Sequence, residues 1–139
     1  MSEGCTPFSF RLRVYYEDTD AQGVVYYANY FRFMERARTE WLRAHGVDQV
    51  KLREETGLVF VVAGTEVKFR APARFDDELV VTVAVLSSGR ARFTLEQRIF
   101  RDALDGELLV EGMCVGACID VAQQRPRRMP ENILSELFQ

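Results

Sequence analysis

The chain has 139 residues, 47% of them hydrophobic and 28% charged, which is typical of one globular domain and leaves no room for a second. Eighteen basic and twenty-one acidic side chains give a net charge of −3, so the chain has no general attraction to nucleic acid or to an acidic membrane surface. A negatively charged ligand would therefore need a local basic site.

A strand and a long helix are predicted in the first third of the chain. Apolar and polar residues alternate over residues 8–14, which indicates a strand with one buried face. Apolar residues then recur at helical spacing over residues 30–44, with arginines on the opposite side. The predicted helix begins somewhere between Val25 and Tyr30, and Gly46 is its predicted C-cap.

The rest of the chain is mostly of β type. A short helix is predicted over residues 48–55, closed by Gly57. Segments rich in Val, Phe, Ile and Leu follow at residues 58–71, 78–87, 91–102 and 107–121. Turn pairs at Ser88-Gly89 and Asp105-Gly106 predict antiparallel hairpins, and the run after Pro130 predicts a final helical turn or two.

This order predicts an α+β fold in which a curved antiparallel sheet of about five strands wraps one long central helix. Such a sheet has open edges, and pairing with a second copy is a common way to cover them. We therefore expect a homodimer or a larger assembly.

The cysteines favour a reducing compartment. Cys114 and Cys118 lie four residues apart in a predicted strand, about 13 Å from each other at 3.3 Å per residue, too far for a disulfide. With Cys5 they make an odd number, and we interpret all three as reduced and the location as cytoplasmic. No apolar run predicts a signal peptide or a membrane span.

Three carboxylates, Glu17, Asp18 and Asp20, cluster between the first strand and the long helix. One reading is an ordinary turn, because Asp, Thr and Gly are turn residues and acids suit a helix start. The other is catalytic: the next residues are apolar and aromatic, and beside an apolar wall a carboxylate becomes a stronger base, while N–H groups at a helix start can hold an oxyanion. Both readings stay open on these residues alone.

Other chemistries fit the sequence poorly. The acidic loop lacks the further acidic positions of a calcium loop, and the single histidine, His45, lies at the far end of the predicted helix. A Ser-His-Asp or Cys-His-Asp system would have to recruit that same histidine. We therefore predict no metal and no cofactor, and chemistry that depends on a carboxylate.

Two blocks resemble a known family. Residues 16–30, YEDTDAQGVVYYANY, continuing through ERARTE at 35–40, resemble the signature of hotdog-fold acyl-CoA thioesterases of the 4-hydroxybenzoyl-CoA thioesterase family, and more closely those associated with the Tol-Pal system. VKFRAPARFDDEL at 67–79 resembles the family's second block. The resemblance implies a single hotdog domain over residues 1–139, with its core at about 8–121 and a tail at 122–139.

The resemblance also implies roles for individual residues. Asp20 falls on the family's catalytic carboxylate, which acts as nucleophile or as general base. Tyr27 falls where the backbone N–H at the helix start polarises the thioester carbonyl, and Gly23 allows the tight approach. Many Tol-Pal-associated members carry histidine where Tyr27 stands, so the hydroxyl of Tyr27 would have to replace that imidazole or its role is lost. Asp18 is expected to shape the loop.

Coenzyme A carries phosphates, so the site needs basic groups at its mouth. Arg90 is the first candidate and Lys68 another; the remaining candidates are Arg70, Arg74 and Arg92. Each of these would also suit a solvated strand face or hairpin end. Phe60 and Tyr26 are candidates for an acyl channel, although core packing explains them nearly as well.

The expected function is hydrolysis of acyl-CoA to a free acid and coenzyme A, by a homodimer or homotetramer with sites at the subunit interfaces, as the resemblance implies. The alternative is a non-catalytic hotdog module that binds acyl-CoA or docks on acyl carrier protein. The absence of histidine at Tyr27 motivates this alternative.

Overall fold

The computed structural model describes residues 7–138, and Cys5 lies outside the described residues. Within this part of the chain no helix is long and apolar enough to cross a membrane. The elements, in chain order, are β1 Phe8–Arg13, α1 Asn29–Ala44, α2 Gln49–Thr56, β2 Leu58–Phe69, β3 Glu78–Ser88, β4 Arg92–Arg101, β5 Leu108–Asp120, β6 Arg125–Pro126 and α3 Glu131–Phe138. A short 3₁₀ turn, Tyr16–Asp18, follows β1.

The strands form one antiparallel sheet in the order β1-β3-β4-β5-β2, and β6 pairs with the end of β5. β3, β4 and β5 follow one another as hairpins, whereas β1 and β2 are the two edges. The predicted α+β fold with a five-stranded antiparallel sheet around a long helix is confirmed. β6 was not predicted, because a two-residue strand has no periodicity to read.

Helix α1 packs across the sheet with its apolar stripe inward. Its buried side chains are Tyr30, Phe33, Met34, Ala37, Trp41 and Leu42. Opposite them lie fully buried residues of the central strands, among them Leu79, Leu95 and Ile99. This apolar stripe therefore determines which face of α1 is buried. It thereby also determines how the first residues of α1 are oriented relative to the loop before them.

Helix α2 is set by its two ends. The carboxylate of Asp48 accepts a hydrogen bond from the N–H of Lys51 at 3.0 Å, which is an N-cap. Gly57 ends the helix with a left-handed φ of 73°. The predicted capping by Gly57 is confirmed, and the chain reverses there directly into β2.

The C-terminal tail contributes to the core. Met129, Ile133 and Leu137 are buried, and the Phe138 ring lies 5.3 Å from that of Phe93. The resemblance implies a core at about residues 8–121, and in the structure α3 also packs beside Trp41, whose ring centroid lies 6.3 Å from that of Phe138. The apolar residues of α3 are thus packing residues of the same domain.

Edge strand β2 is long and exposes apolar residues at both of its halves, with Thr65, Glu66 and Lys68 exposed between them. It pairs with β5 on one side, and among the described residues no strand pairs with its other side. Val61, Val62 and Phe69 are exposed along it. A register shift between Val62 and Gly64 changes which side chains face inward along the strand.

Candidate active site

Asp20 stands at the tip of a small hairpin. Thr19 pairs with Val25, the N–H of Asp20 donates to the carbonyl of Val24 at 2.9 Å, and that of Gly23 donates to the carbonyl of Asp20 at 3.0 Å. This is a short hairpin loop closed by a left-handed glycine, since Gly23 has a φ of 82°. The Asp20 side chain is exposed, and its Oδ1 accepts the N–H of Gln22 at 2.9 Å.

Gly23 is needed here for its backbone conformation. No atom lies within 4 Å of the position that a Cβ would occupy at this residue. The left-handed φ is therefore what disfavours other residues at this position, and the hairpin carries Asp20 only as long as that φ is kept.

Asp18 and Glu17 take different places from Asp20. Oδ2 of Asp18 accepts the N–H of Tyr15 at 2.8 Å, and its carbonyl accepts the N–H of Tyr26 and Nδ2 of Asn29, both at 2.9 Å. Asp18 thus fastens the acidic loop to the start of α1, whereas Glu17 is exposed. The structure separates a loop-shaping acid, a solvated acid and an acid at a hairpin tip.

The start of α1 offers hydrogen-bond donors. The N–H groups of residues 29–31 donate to the carbonyls of residues 26–28 at 2.8–3.2 Å. The N–H groups of Tyr27 and Ala28 donate to no other group within residues 7–138. Unbonded N–H groups at a helix start lie at the positive end of the helix dipole and can stabilise a negatively charged oxygen.

A cavity of about 260 Å³ opens beside this helix start. It is lined by Val25, Tyr27, Tyr30, Phe69, Arg70, Ala71 and Pro72. The Tyr27 side chain is 57% exposed, and its ring meets that of Phe69 edge-on at 6.2 Å. Tyr26 lies against Tyr27 with 4.9 Å between ring centroids. Within one chain the cavity beside Tyr27 is therefore mostly apolar but open to solvent.

The loop after β2 connects the hairpin to the helix. The carbonyl of Ala73 accepts the N–H of Val25 at 2.8 Å, and Arg74 pairs with Val24. The N–H of Ala73 donates to the hydroxyl oxygen of Tyr30 at 3.0 Å. Burial raises the pKa of Tyr30 above its ordinary value, so this hydroxyl stays protonated at neutral pH.

Arg101 holds the same loop from the sheet side. Its guanidinium pairs with Asp77 and donates to the carbonyl of Pro72 at 2.9 Å. Asp77 in turn accepts the N–H of Arg74 at 2.9 Å. The loop that supports the Asp20 hairpin is thus anchored to the sheet by a partly buried ion pair.

Phe60 and Lys68 lie apart from this site within one chain. Phe60 lines a second cavity, of about 130 Å³, beside the middle of α1. Lys68 is exposed next to Glu111 in a surface depression that Tyr27 does not line. Gly23 is hydrogen-bonded to Asp20, and Tyr26 is hydrogen-bonded to Asp18 of the same loop with Tyr27 directly after it, whereas Phe60 and Lys68 lie in other depressions of the surface.

Arg90 lies at the opposite end of the sheet. It precedes Arg92, which pairs with Ala117, and Ala117 pairs with Val61 on β2. Phe69, the β2 residue that contacts Tyr27, is eight residues from Val61, or roughly 25 Å along the strand. A coenzyme A phosphate bound by Arg90 would therefore lie far from Asp20 of the same chain.

His45 takes no part in this arrangement. It caps the C-terminal end of α1, roughly 24 Å along the helix axis from its first residue, and its Nδ1 lies 2.8 Å from the carbonyl oxygen of Trp41. Within residues 7–138 no group of three His, Cys, Asp or Glu side chains is arranged to hold a metal ion.

Two contributors to the site were missed in the sequence. Tyr30 falls on the apolar stripe of the predicted helix, and a tyrosine at helical spacing gives no sign of where its hydroxyl bonds. Arg101 falls in a strand pattern, where an arginine reads as a solvated face. Both act through contacts distant in sequence, which local periodicity does not encode.

Comparison with known proteins decides the family. Residues 14–137 match the sequence model of the thioesterase-like superfamily. The chain belongs to this family. It is 42% identical to the acyl-CoA thioester hydrolase YbgC of Escherichia coli O6:H1 over 134 residues, 96% of this chain and 98% of that protein.

Solved structures agree with this relationship. A probable thioesterase from Bartonella henselae is 36% identical, with a TM-score of 0.81 over 90% of this chain and all of that one (100%). A 4-hydroxybenzoyl-CoA thioesterase variant in complex with 4-hydroxybenzoyl-CoA has a TM-score of 0.84 over 93% of this chain and 96% of that one, and at 19% identity it shows the fold alone. The predicted hotdog fold and thioesterase family are confirmed.

Proposed function

We propose that this chain is an acyl-CoA thioesterase, which hydrolyses the thioester of an acyl-CoA to a carboxylic acid and coenzyme A. Two features together carry the proposal: a carboxylate at a hairpin tip, and a helix start, fastened to that hairpin, with two N–H groups that have no acceptor in the part of the chain that the structure describes. The 42% identity to an acyl-CoA thioester hydrolase over nearly the whole chain supports it.

Thioester hydrolysis requires a donor at the carbonyl oxygen and a base or nucleophile at the carbonyl carbon. In the proposed mechanism the N–H of Tyr27 polarises the carbonyl oxygen and holds the oxyanion that forms. The N–H of Ala28 is a second donor for the same oxygen. Because these donors are fixed before substrate arrives, they stabilise the transition state without reorganising.

Asp20 can complete the reaction by two routes. As nucleophile, it bonds to the carbonyl carbon, the C–S bond breaks, coenzyme A leaves as thiolate, and water then cleaves the acyl–aspartyl anhydride to give the acid and the free carboxylate. As general base, it takes a proton from the water that adds to the carbonyl, and that proton passes to the departing thiolate. Both routes need the ionised carboxylate.

We also propose that the working form is a homodimer or a homotetramer. The unpaired side of β2 and the exposed Val61 and Val62 support pairing with a second copy along this edge. A second copy along this edge would also cover the open cavity beside Tyr27 and Phe69, and water exclusion strengthens electrostatic stabilisation. Size-exclusion chromatography with light scattering measures the oligomeric state directly.

Binding of the coenzyme A phosphates is proposed for basic side chains around the completed site. Arg90 and Lys68 lie away from Asp20 of the same chain, so their contribution would come through assembly. Arg70 and Arg74 lie closer, on the loop that supports the hairpin. Removal of a phosphate-binding arginine would raise KM with little change in kcat. Comparing KM in Arg90→Ala and in Arg74→Ala therefore tells which of the two arginines binds phosphate.

The cytoplasmic location and a role for acyl carrier protein stay predictions, as does the Tol-Pal association. Cys114 and Cys118 are buried free thiols, which supports a reducing compartment. An acyl group presented on acyl carrier protein offers the same thioester as acyl-CoA. Parallel assays with both acyl donors would distinguish the two.

The test of the proposed function is thiol release from a panel of short-chain, medium-chain and aromatic acyl-CoA thioesters by the purified chain. Catalytic turnover with at least one member is expected. Thermal stabilisation by acyl-CoA without thiol release over hours would instead favour the non-catalytic binding module.

A further inference from the structure

The buried side chain of Tyr30 in α1 has a hydroxyl that is hydrogen-bonded to a residue outside this helix. The residue is 4% exposed, and its ring packs against those of Phe33 and Phe69 with centroids 6.1 and 5.7 Å away. A ring alone would satisfy these contacts. The hydroxyl oxygen additionally accepts the N–H of Ala73, a residue 43 positions away in the sequence.

Ala73 is hydrogen-bonded on both sides of its backbone. Its N–H donates to Tyr30, and its carbonyl accepts the N–H of Val25 at 2.8 Å. Val25 is the last paired residue of the hairpin that carries Asp20, and Val24 pairs with Arg74 next to it. Ala73 itself is fully buried. One continuous series of hydrogen bonds therefore runs from the first turn of α1 to the hairpin.

This series connects the exit side of the hairpin to the first turn of α1. Tyr30 lies three residues after Tyr27 and two after Ala28, whose N–H groups donate to no other group within residues 7–138. The loop acid Asp18 fastens the entry side of the hairpin to the helix start, whereas the exit side, at Val24 and Val25, is held through residues 73 and 74. Without the Tyr30 hydroxyl, residues 73 and 74 lose their hydrogen bond to α1, and the exit side is joined to the helix only by the chain through residues 26–28 and by the bonds of Asp18.

We propose that Tyr30 is a positioning residue, which sets the separation between the Asp20 carboxylate and the N–H groups at the start of α1 through its hydrogen bond to Ala73. The proposal rests on the proposed thioesterase function and deepens it. Small displacements of a reacting group are costly, since a misplacement of about 1 Å can lower a rate by about a hundredfold. A purely structural tyrosine would have no such effect on turnover.

The first test is Tyr30→Phe, which removes only the oxygen and keeps the ring contacts. We expect kcat with acyl-CoA to fall about tenfold or more, with KM changed by less than about threefold, because the substrate is bound but the reacting groups are misaligned. The control is Val83→Ala, a buried substitution on β3 away from Ala73. At a temperature where both variants are fully folded, the control should keep kcat within about twofold of the unmodified chain.

The second test is the double variant Asp20→Asn/Tyr30→Phe. If Tyr30 acts by placing the Asp20 carboxylate, the double variant should turn over within about twofold of Asp20→Asn alone. An equal loss in both backgrounds would overturn the positioning role, as would an unchanged kcat in Tyr30→Phe or a matching loss in Val83→Ala. These results would leave the thioesterase function intact.

Amide hydrogen exchange keeps the inference testable without turnover. Tyr30→Phe should speed exchange at Val25 and Ala73, and leave exchange in the paired residues of β3 and β4 unchanged. Unchanged exchange at Val25 and Ala73 would overturn the inference. If the unmodified chain released no thiol from any acyl-CoA, the proposed function would fail, and the exchange result alone would decide whether Tyr30 holds the hairpin.

Discussion

The substitution Gly23→Ala tests whether the hairpin that carries Asp20 requires the left-handed backbone conformation of Gly23. Gly23 has a φ of 82°, and no atom lies within 4 Å of its would-be Cβ, so the substitution introduces torsional strain without a steric clash. A non-glycine residue in the left-handed region costs about 1–2 kcal/mol. We expect either that loss in the free energy of unfolding or a change of the turn that relieves the strain and moves Asp20.

Two further variants show whether a stability loss in Gly23→Ala comes from the left-handed φ. Gly23→Asn should recover part of the loss, because asparagine tolerates the left-handed region. Gly64→Ala is the matched control: it too has open space at its Cβ, but its φ is not positive, so it should be neutral or slightly stabilising.

Urea unfolding and thiol release, measured on the same preparations, separate the two outcomes of Gly23→Ala. A stability loss with normal kcat means that the turn is kept under strain. Normal stability with reduced kcat means that the turn has rearranged. A Gly23→Ala variant as stable and as active as the unmodified chain would refute the reasoning.

Further predictions concern pH and the supporting loop. Burial raises the pKa values of Tyr30, Cys114 and Cys118 above their ordinary values of 10.0, 9.0 and 9.0, so the folded chain holds these protons after the unfolded chain has released them. Stability should therefore fall as pH rises above about 9, and less steeply in Tyr30→Phe; a flat urea midpoint between pH 8 and 11 would contradict this. Arg101→Met leaves the Pro72 carbonyl without its guanidinium donor and leaves Asp77 with only the N–H of Arg74. It should lower the free energy of unfolding by about 1–3 kcal/mol, discounted for the partial exposure of the pair, and reduce kcat; an unchanged urea midpoint would argue against the anchor.

Local signals in the sequence predicted the elements well. The apolar stripe of α1 and the Gly57 cap are one-dimensional patterns, and the structure places both where these patterns indicated. From the sequence, residues 17–23 fit either an ordinary turn or a catalytic loop. In the structure Asp20 lies at the tip of a turn, and this geometry is also what presents its carboxylate to solvent.

The arrangement around Asp20 could not be predicted from these patterns. The contacts of Tyr30 with Ala73 and of Arg101 with Asp77 join residues 43 and 24 positions apart, and no spacing rule covers such contacts. The distance of Arg90 from Asp20 follows from the strand register, which depends on which strands pair and where a bulge shifts them.

The central claim is that hydrolysis depends on the Asp20 carboxylate, and Asp20→Asn tests it most directly. The amide keeps the size of the side chain and its capacity to accept the Gln22 N–H, but it is neither a nucleophile nor a base at neutral pH. Glu17→Gln is the matched control, because it removes the charge of another exposed carboxylate in the same loop. In a thiol-release assay on the best acyl-CoA of the panel, we expect kcat to fall about tenfold to a hundredfold in Asp20→Asn and to stay unchanged in Glu17→Gln. Turnover in Asp20→Asn equal to that of the unmodified chain would contradict the account.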